Sequence, residues 1–398
     1  MKKTILLLLA VLFIIGESRA QSRVIDSLKA LLKKEKCDTA RVTLLNKLNI
    51  EYYQTKSDSA ISYGLEALTL SQKIHYDKGA AVSLNRIATA YTNAGNAPKA
   101  MDLLLQALKI NEKINNRDGI ARNMANLGTV YTYMGDYHRA IGYEIRAAKI
   151  FEQLNDKIDP SKCFSTIGLA YEALSKYDSA MVYAQKSYEG EKTFNKDKQG
   201  AALGLIGAVY YFTNEPDLAL SYFRLSVSRF KQWGAVGGIS NCYFGISKIY
   251  DKKGHADSAL NYAYQSFALS YKLNKYTSGI DDIGSYLGEL YKKRGNTDSA
   301  YYYLTLAKAA EDSVTSQQKL NQFQSLGFDE KLRQIELANT EEKVAEERKR
   351  NLQFAGIAIG IFTFLVLFFA LSRSVVVKER FIKYFGVFML LAVFEFIN

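Results

Sequence analysis

The side chains that most often do chemistry are scarce in this sequence and stand far apart. Histidine and cysteine occur at three positions each: His75, His138, His255, Cys37, Cys163 and Cys242. A zinc site needs several such side chains at short characteristic spacings, and a disulfide framework needs closely spaced cysteines. We therefore expect surface histidines, buried apolar roles for Cys163 and Cys242, and neither a metal site nor a cofactor.

Motifs that would support catalysis are also missing from the sequence. It holds no nucleophile elbow, no glycine-rich phosphate loop and no His-Glu-x-x-His pair. Asp281 and Asp282 are adjacent, so their carboxyls point apart on a helix and are expected to be solvated. We predict that the protein is not an enzyme.

The composition predicts a nearly all-helical protein. Among 398 residues there are 3 Pro but 28 Tyr and 21 Phe, so helix breakers are rare and large packing side chains are abundant. A hydrophobic content of 48% excludes intrinsic disorder. The net charge of +12 is interspersed rather than gathered into a basic run before residue 343, which argues against nucleic acid as a partner.

Apolar segments at both ends predict export and a membrane anchor. Residues 1–20 combine a basic start, a short apolar core and small residues before Gln21, which is typical of a signal peptide. Segment 352–372 is uncharged and long enough to be an integral transmembrane helix. The basic loop 373–383 is then cytoplasmic, and 384–398 matches the start of a second, truncated transmembrane helix. The intervening region would be periplasmic, on the outer side of the inner (cell) membrane.

Between these segments the sequence repeats with a period of about 40 residues. A small residue that follows a turn serves as position 0 of each repeat: Ala60, Ala100, Ala140, Ala180, Ala219, Ala259 and Ala300. Most repeats also have a small residue at −12, a tyrosine at −9, a turn residue at −5 and an aromatic at +3. We expect a glycine or asparagine at −5 to take the left-handed conformation that ends a first helix, and Asp-Ser-Ala to begin a second helix.

The remaining repeat positions predict how the two helices pack. Small residues at −12 and 0 let antiparallel helices approach closely, and the rings at −9 and +3 fill the space between them. Tyr210 and Tyr250, both at −9, are therefore expected to point into the core.

This pattern resembles the tetratricopeptide repeat (TPR). The residues that match its signature are Leu127, Gly128, Tyr131, Ala140 and Ala147, and then Ile167, Gly168, Tyr171 and Ala180. The resemblance covers 39–311 in seven units and departs from the family in its period, which is usually 34 residues. The resemblance implies an all-α fold that coils into a right-handed α-α superhelix. The long repeat form also resembles the periplasmic TPR sensor region of bacterial membrane signalling proteins. Segment 21–38 is predicted to be an N-terminal capping helix.

A variable face of the first helices is interpreted as a binding groove for a peptide or protein. The candidate residues are Asn126, Thr129, Tyr133, Tyr211, Phe212, Phe244 and Lys248. Other residues expected on this face are Asn85, Thr89, Thr92, Leu169, Glu172, Asp251, Lys252, Glu289, Lys292 and Lys293. Along the chain, this face changes from polar residues through aromatic residues to charged residues. Such a surface suits a peptide that is anchored by apolar side chains. Alternatively, Tyr211, Phe212 and Phe244 only fill a tightly wound superhelix.

The repeat fades after residue 311, and 312–351 becomes rich in charge. We expect a helix from about residue 329 into the membrane, either a solvated stalk or a coiled coil that forms a homodimer through 329–371. Three functions stay open. The chain is a membrane-tethered sensing or scaffolding module of a signalling protein, a structural scaffold for envelope complexes, or the non-catalytic part of a longer enzyme whose output domain lies beyond residue 398.

Overall fold

The described part of the molecule is built from α-helices. A computed structural model describes residues 24–53, 57–155, 159–194, 199–233, 235–273 and 279–372, with residues 384 and 387, and the regular structure in these ranges is helical. The predicted signal peptide, the predicted loop 373–383 and most of 384–398 lie outside the described residues.

Seven helix pairs follow one another along the chain, one for each predicted repeat unit. In chain order, the first and second helices of units 1 to 7 are α2 (Asp38–Tyr52) and α3 (Ser57–Lys73), α4 (Asp77–Asn93) and α5 (Ala97–Lys113), α6 (Arg117–Tyr133) and α7 (Tyr137–Gln153), α8 (Asp159–Ala173) and α9 (Tyr177–Phe194), α10 (Gly200–Phe212) and α11 (Pro216–Trp233), α12 (Val236–Lys252) and α13 (Ala256–Leu273), and α14 (Ile280–Lys293) and α15 (Thr297–Ser372). Helix α1, at 24–34, precedes them, and its Leu32 packs on the core of unit 1.

The turn inside each unit has the predicted left-handed residue. Residue −5 has a positive φ, between 57° and 78°, in units 2 to 7: Gly95, Gly135, Ser175, Asn214, Gly254 and Gly295. The prediction is confirmed, even at Ser175, where no glycine relieves the steric cost. Turns between units also use left-handed residues, at His75, Asn115 and Asn155, and the sequence reading missed these.

Close contact between paired helices follows from the small residues. The alanine at position 0 is fully buried in units 1 to 6, and Ala300 is 4% exposed. At −12, a Cβ added to Gly128 would lie 2.6 Å from Cγ of Glu144, and one added to Gly288 would lie 2.6 Å from Cγ of Leu304. Contacts this short exclude a side chain, so the predicted close approach is confirmed.

The tyrosines at −9 are less deeply buried than predicted. Tyr131 is fully buried, but Tyr210 and Tyr250 are only half-buried. Their rings stack on the +3 rings of the second helix, with centroids 5.4 Å apart for Tyr210–Tyr222 and 5.6 Å for Tyr250–Tyr262. The expectation that Tyr210 and Tyr250 point into the core is corrected, since these rings lie at the edge of the core.

The first helices form the inner face of the repeat array. In units 1 to 6 each first helix packs on the second helix of its own unit, and those of units 1 to 5 also contact the first helix of the next unit. Ring contacts make the corresponding links at unit 7, from Tyr291 to Tyr303 within the unit and from Phe244 to Tyr286 between units 6 and 7. This closer spacing of first helices makes their side of the array concave. We call the concave surface of α2, α4, α6, α8, α10, α12 and α14 the groove.

The last helix differs from the predicted boundaries. Helix α15 runs over 76 residues from Thr297, so neither residue 311 nor residue 329 begins a new helix. The chain divides into two compact regions between Phe328 and Asp329. Within α15, Glu347–Leu367 is long and apolar enough to cross a bilayer, by length and composition only, and it begins before the predicted segment 352–372.

Candidate peptide-binding groove

One half of the groove, on units 2 and 3, is polar and uncharged. Nδ2 of Asn126 donates a hydrogen bond of 2.6 Å to Oδ1 of Asn85, and the pair is partly buried. This bond joins α6 to α4 across neighbouring units. It leaves the N–H groups of Asn85 and Oδ1 of Asn126 outside the pair, which is a donor and an acceptor side by side.

The threonine hydroxyls of this half donate hydrogen bonds within their own helices. The hydroxyl of Thr129 donates to the Ala125 carbonyl at 3.1 Å, and that of Thr89 donates to the Asn85 carbonyl at 3.0 Å. Thr92 was expected on the groove, but it is 7% exposed and bonds to its own helix at Ala88. A threonine can be buried in this way because the carbonyl four residues earlier accepts its hydroxyl.

Tyr133 lies at the end of α6. It is 56% exposed, yet desolvation by surrounding atoms raises the pKa of its hydroxyl, and Tyr53 of unit 1 raises it further. An exposed ring with a desolvated hydroxyl is what a concave surface produces.

The other half, on units 5 to 7, carries aromatic rings and lysines that contact each other within α12 and between units. Nζ of Lys248 lies 4.0 Å from the ring centroid of Phe244, and Nζ of Lys252 lies 4.2 Å from that of Tyr211. The Phe244 ring meets Tyr286 of α14 edge-on, at 5.5 Å between centroids. These five residues, Tyr211, Phe244, Lys248, Lys252 and Tyr286, are the aromatic cluster.

Tyr286 was missed from the sequence. It stands at −14, one position from the −15 that Phe244 occupies. The same few positions were compared in every unit, and −14 of unit 7 was not among them. Burial raises the pKa of its hydroxyl above the usual range, and the Asp251 carboxylate raises it further. The hydroxyl therefore stays protonated and acts as a neutral polar group beside Phe244.

Phe212 lies at the edge of the aromatic cluster, where its ring meets that of Tyr211 edge-on with 5.3 Å between centroids. It is 47% exposed and stacks on Tyr177, the first residue of α9, at 5.1 Å between centroids. Tyr211 and Phe244 are half-buried and also pack against the cores of units 5 to 7. Two of the three predicted aromatics thus contribute to packing as well as to the groove surface, whereas Phe212 presents an open ring.

Charged groups connect units across the aromatic half. Burial lowers the pKa of Lys248, and the carboxylates of Asp282 and Glu172 raise it. Burial raises the pKa of Glu172, and Lys248 offsets part of this shift. Asp251 pairs with Lys293 of the next unit at 3.0 Å. Lys292 pairs within its own helix with Glu289, at 3.8 Å.

Metal-ligating side chains and cysteine thiols are scattered over the part of the chain that the structure describes. No group of three or more His, Cys, Asp or Glu side chains that could hold a metal ion occurs in the described ranges. Cys163 and Cys242 are buried and Cys37 is exposed, and the three remain thiols. Asp281 accepts a hydrogen bond from the Gly279 backbone at 2.8 Å. The described groove residues offer amide hydrogen-bonding groups, aromatic rings and charged side chains as binding contacts.

Comparison with known protein families identifies the repeat. Two family models, both described as tetratricopeptide repeat, match residues 80–121 and 119–193. The chain contains tetratricopeptide repeats. No curated protein matches the chain.

Solved structures share the tetratricopeptide solenoid at low sequence identity. The apo form of RapI has a TM-score of 0.53 and 14% identity, covering 69% of this chain and 99% of its own. The apo form of the quorum sensor NprR from B. thuringiensis has a TM-score of 0.53 and 16% identity, covering 75% and 84%. The APC/C hetero-tetramer Cut9-Hcn1 has a TM-score of 0.51 and 13% identity, covering 76% and 55%. These likenesses show the fold alone.

The tetratricopeptide units here are longer than the usual 34 residues because their helices are longer. Each helix of units 2 and 3 has 17 residues, and turns of three residues separate them. Longer first helices give each unit more inner surface, and the groove positions from −15 to −7 all lie on it.

Proposed function

We propose that this chain is a membrane-tethered, extracytoplasmic tetratricopeptide module that binds an extended segment of a peptide or protein in its groove. In this proposal the module is the sensing part of a signalling protein. Residues 352–372 anchor it, and residues 1–20 direct its export.

The observation that carries the proposal is the division of one continuous inner face into two kinds of contact. An extended peptide needs partners for its backbone amides and pockets for its side chains. The donor and acceptor of the Asn85–Asn126 pair suit a backbone amide. The rings of Phe244 and Tyr286 suit an apolar side chain, and such aromatic anchors supply most of the binding energy at interfaces.

Two further facts support the tether and the sensing role. Glu347–Leu367 has the length and composition of a membrane span, and its large side chains are exposed, with Phe354 at 62% and Phe362 at 67%. Among structures of similar fold, NprR is a quorum sensor, which supports sensing by analogy of fold only.

Photo-crosslinking in spheroplasts tests binding and sidedness together. We would place a photoreactive amino acid at Leu169, which is 45% exposed on the first helix of unit 4, and capture partners with and without external protease. We expect a specific adduct, and protease added outside should remove it. Adducts that resist external protease in intact spheroplasts would contradict the extracytoplasmic location.

Variants then test the site within this assay. Phe212→Ala with Phe244→Ala should lower capture at least about tenfold, because losing a buried anchor costs more than about 1.4 kcal/mol. Tyr264→Ala is the matched control, since this tyrosine is 50% exposed but lies on the second helix of unit 6. Equal loss in both variants, or unfolding of the double variant, would show that the assigned aromatics are packing residues.

A further inference from the structure

A carboxyl group is buried at the junction of units 3 and 4. Glu144 of α7 is 1% exposed. Its carboxyl faces the Cys163 thiol and the Thr166 hydroxyl of α8, which hydrogen-bond to it, and the backbone of Gly128 on α6. Its Oε2 atom has no hydrogen-bond partner among the described residues.

The repeat itself marks this carboxyl as exceptional. Glu144 stands at position +4, which is apolar in the other six units: Gly64, Leu104, Ala184, Phe223, Ala263 and Leu304. A carboxyl at a core position costs free energy that an apolar residue would not, and its charged form costs far more than its neutral form. The carboxyl therefore lowers the stability of the array relative to an apolar residue, which suggests that it has a function other than packing.

The groups around Glu144 leave its charge uncompensated. The titratable group that faces it from α8 is Cys163, and Gly128 of α6 lies against its side chain. No charged side chain among the described residues contributes to its protonation. Burial raises the pKa of the Glu144 carboxyl to about 8, and the hydrogen bonds from Cys163 and Thr166 offset only part of that rise.

The junction of units 5 and 6 is a natural control. Cys242 of α12 occupies the same repeat position as Cys163, 17 residues before position 0, and it is also buried. Its neighbour on α11 is the Ser226 hydroxyl, 3.2 Å from the sulfur. Position +4 of unit 5 is Phe223, so this junction has the thiol and lacks the acid.

We propose that Glu144 makes the junction of units 3 and 4 a pH-sensitive hinge in the repeat array, closed while the carboxyl is protonated and open once it ionises. Units of a solenoid contact only their neighbours, so a change at one junction moves units 1–3 against units 4–7. That junction separates the polar half of the groove from the aromatic half. Ionisation would therefore change how the two halves face one ligand.

The direction of the pH effect follows from the proton count. The unfolded chain loses this proton near pH 4.5, whereas the folded chain keeps it to about pH 8. The folded state binds the extra proton between these values, so the stability of the junction falls as pH rises through this window. The loss is complete once the folded carboxyl has ionised, above about pH 8.

Thiol labelling of the full chain tests the hinge without any ligand. Cys37 is exposed, so Cys37→Ser removes it, and the labelling rates of Cys163 and Cys242 are then compared by mass spectrometry from pH 6.5 to 9. The ionised fraction of a group with a pKa of about 8 rises about tenfold between pH 7 and pH 9, and the Cys163 to Cys242 rate ratio should rise accordingly. A carboxylate next to Cys163 disfavours its thiolate, so chemistry alone would move the ratio the other way.

Two variants complete the experiment. Glu144→Gln keeps the shape and cannot ionise, and Glu144→Leu introduces the residue that unit 2 has at this position. Both should give a flat ratio across the pH range, and either one suffices if the other fails to fold. A flat ratio in the parent protein, or an equal rise in the variants, would overturn the hinge while leaving the proposed groove untouched.

Discussion

The polar and aromatic halves of the groove rest on the same helix pairs but join their units in different ways. On units 2 and 3 the link is a neutral amide pair, Asn126 to Asn85. On units 5 to 7 the links are lysine–ring and ring–ring contacts, such as Lys252 to Tyr211 and Phe244 to Tyr286. The turn inside each unit has a left-handed residue at position −5 in both halves, and the two halves differ in the side chains at their groove positions. A repeat array can therefore change its inner surface without changing its core.

The packing of the tyrosine at position −9 differs between unit 3 and unit 5. Tyr131, under the polar half, is fully buried, and the guanidinium of Arg139 lies 4.6 Å from its ring centroid. Tyr210, in unit 5, is only half-buried. The residue that corresponds to Arg139 there is Leu218, which is 42% exposed. The Arg139 guanidinium thus lies over the more deeply buried ring.

The largest expected effect concerns these two rings. Tyr131→Ala should lower the free energy of unfolding by about 3–5 kcal/mol, the usual cost of truncating a fully buried aromatic. Tyr210→Ala should cost clearly less, because part of that ring is already in water. Denaturant unfolding monitored by circular dichroism measures both. Equal losses would contradict the difference in core packing between unit 3 and unit 5.

A smaller effect is expected from the amide pair of the polar half. Asn126→Ala, Asn85→Ala and the double variant form a cycle whose coupling free energy should be about 0.5–1.5 kcal/mol, as for one net hydrogen bond. Thermal unfolding of all four proteins gives this value. The cycle Thr89→Ala with Thr129→Ala is the control, because these hydroxyls bond within their own helices. A coupling near zero for the asparagines would mean that they do not link units 2 and 3.

The smallest effect is expected from the ion pair of the aromatic half. Lys293→Met should change the free energy of unfolding by about 0–1 kcal/mol, since exposed pairs are weak and are screened by salt. The side chain of Lys293 is 62% exposed and that of Asp251 is 27% exposed. The difference from the parent protein should vanish in 1 M NaCl. A loss that persists at high salt would indicate that Lys293 contributes by packing.

Features that recur within one unit could be predicted, because each depends on residues a few positions apart. The left-handed residue at −5, the small residues at −12 and 0, and the acid in the first turn of the second helix at Asp58, Asp178, Asp257 and Asp298 all occur in the structure. Predictions that required the reach of a side chain were less accurate. Thr92 lies in the core instead of the groove, and Tyr210 and Tyr250 are half-buried at the edge of the core.

The sequence by itself determined the helix pairs, their turns and their order, because a period of about 40 residues repeats every local requirement seven times. Only the tertiary structure decided which side chains of neighbouring units meet. Tyr286 contacts Phe244 from the first helix of the next unit. Glu144 is buried between residues of α6 and α8. Burial and pKa depend on every element packed around a group, and a repeat register contains no information about the neighbour that covers it.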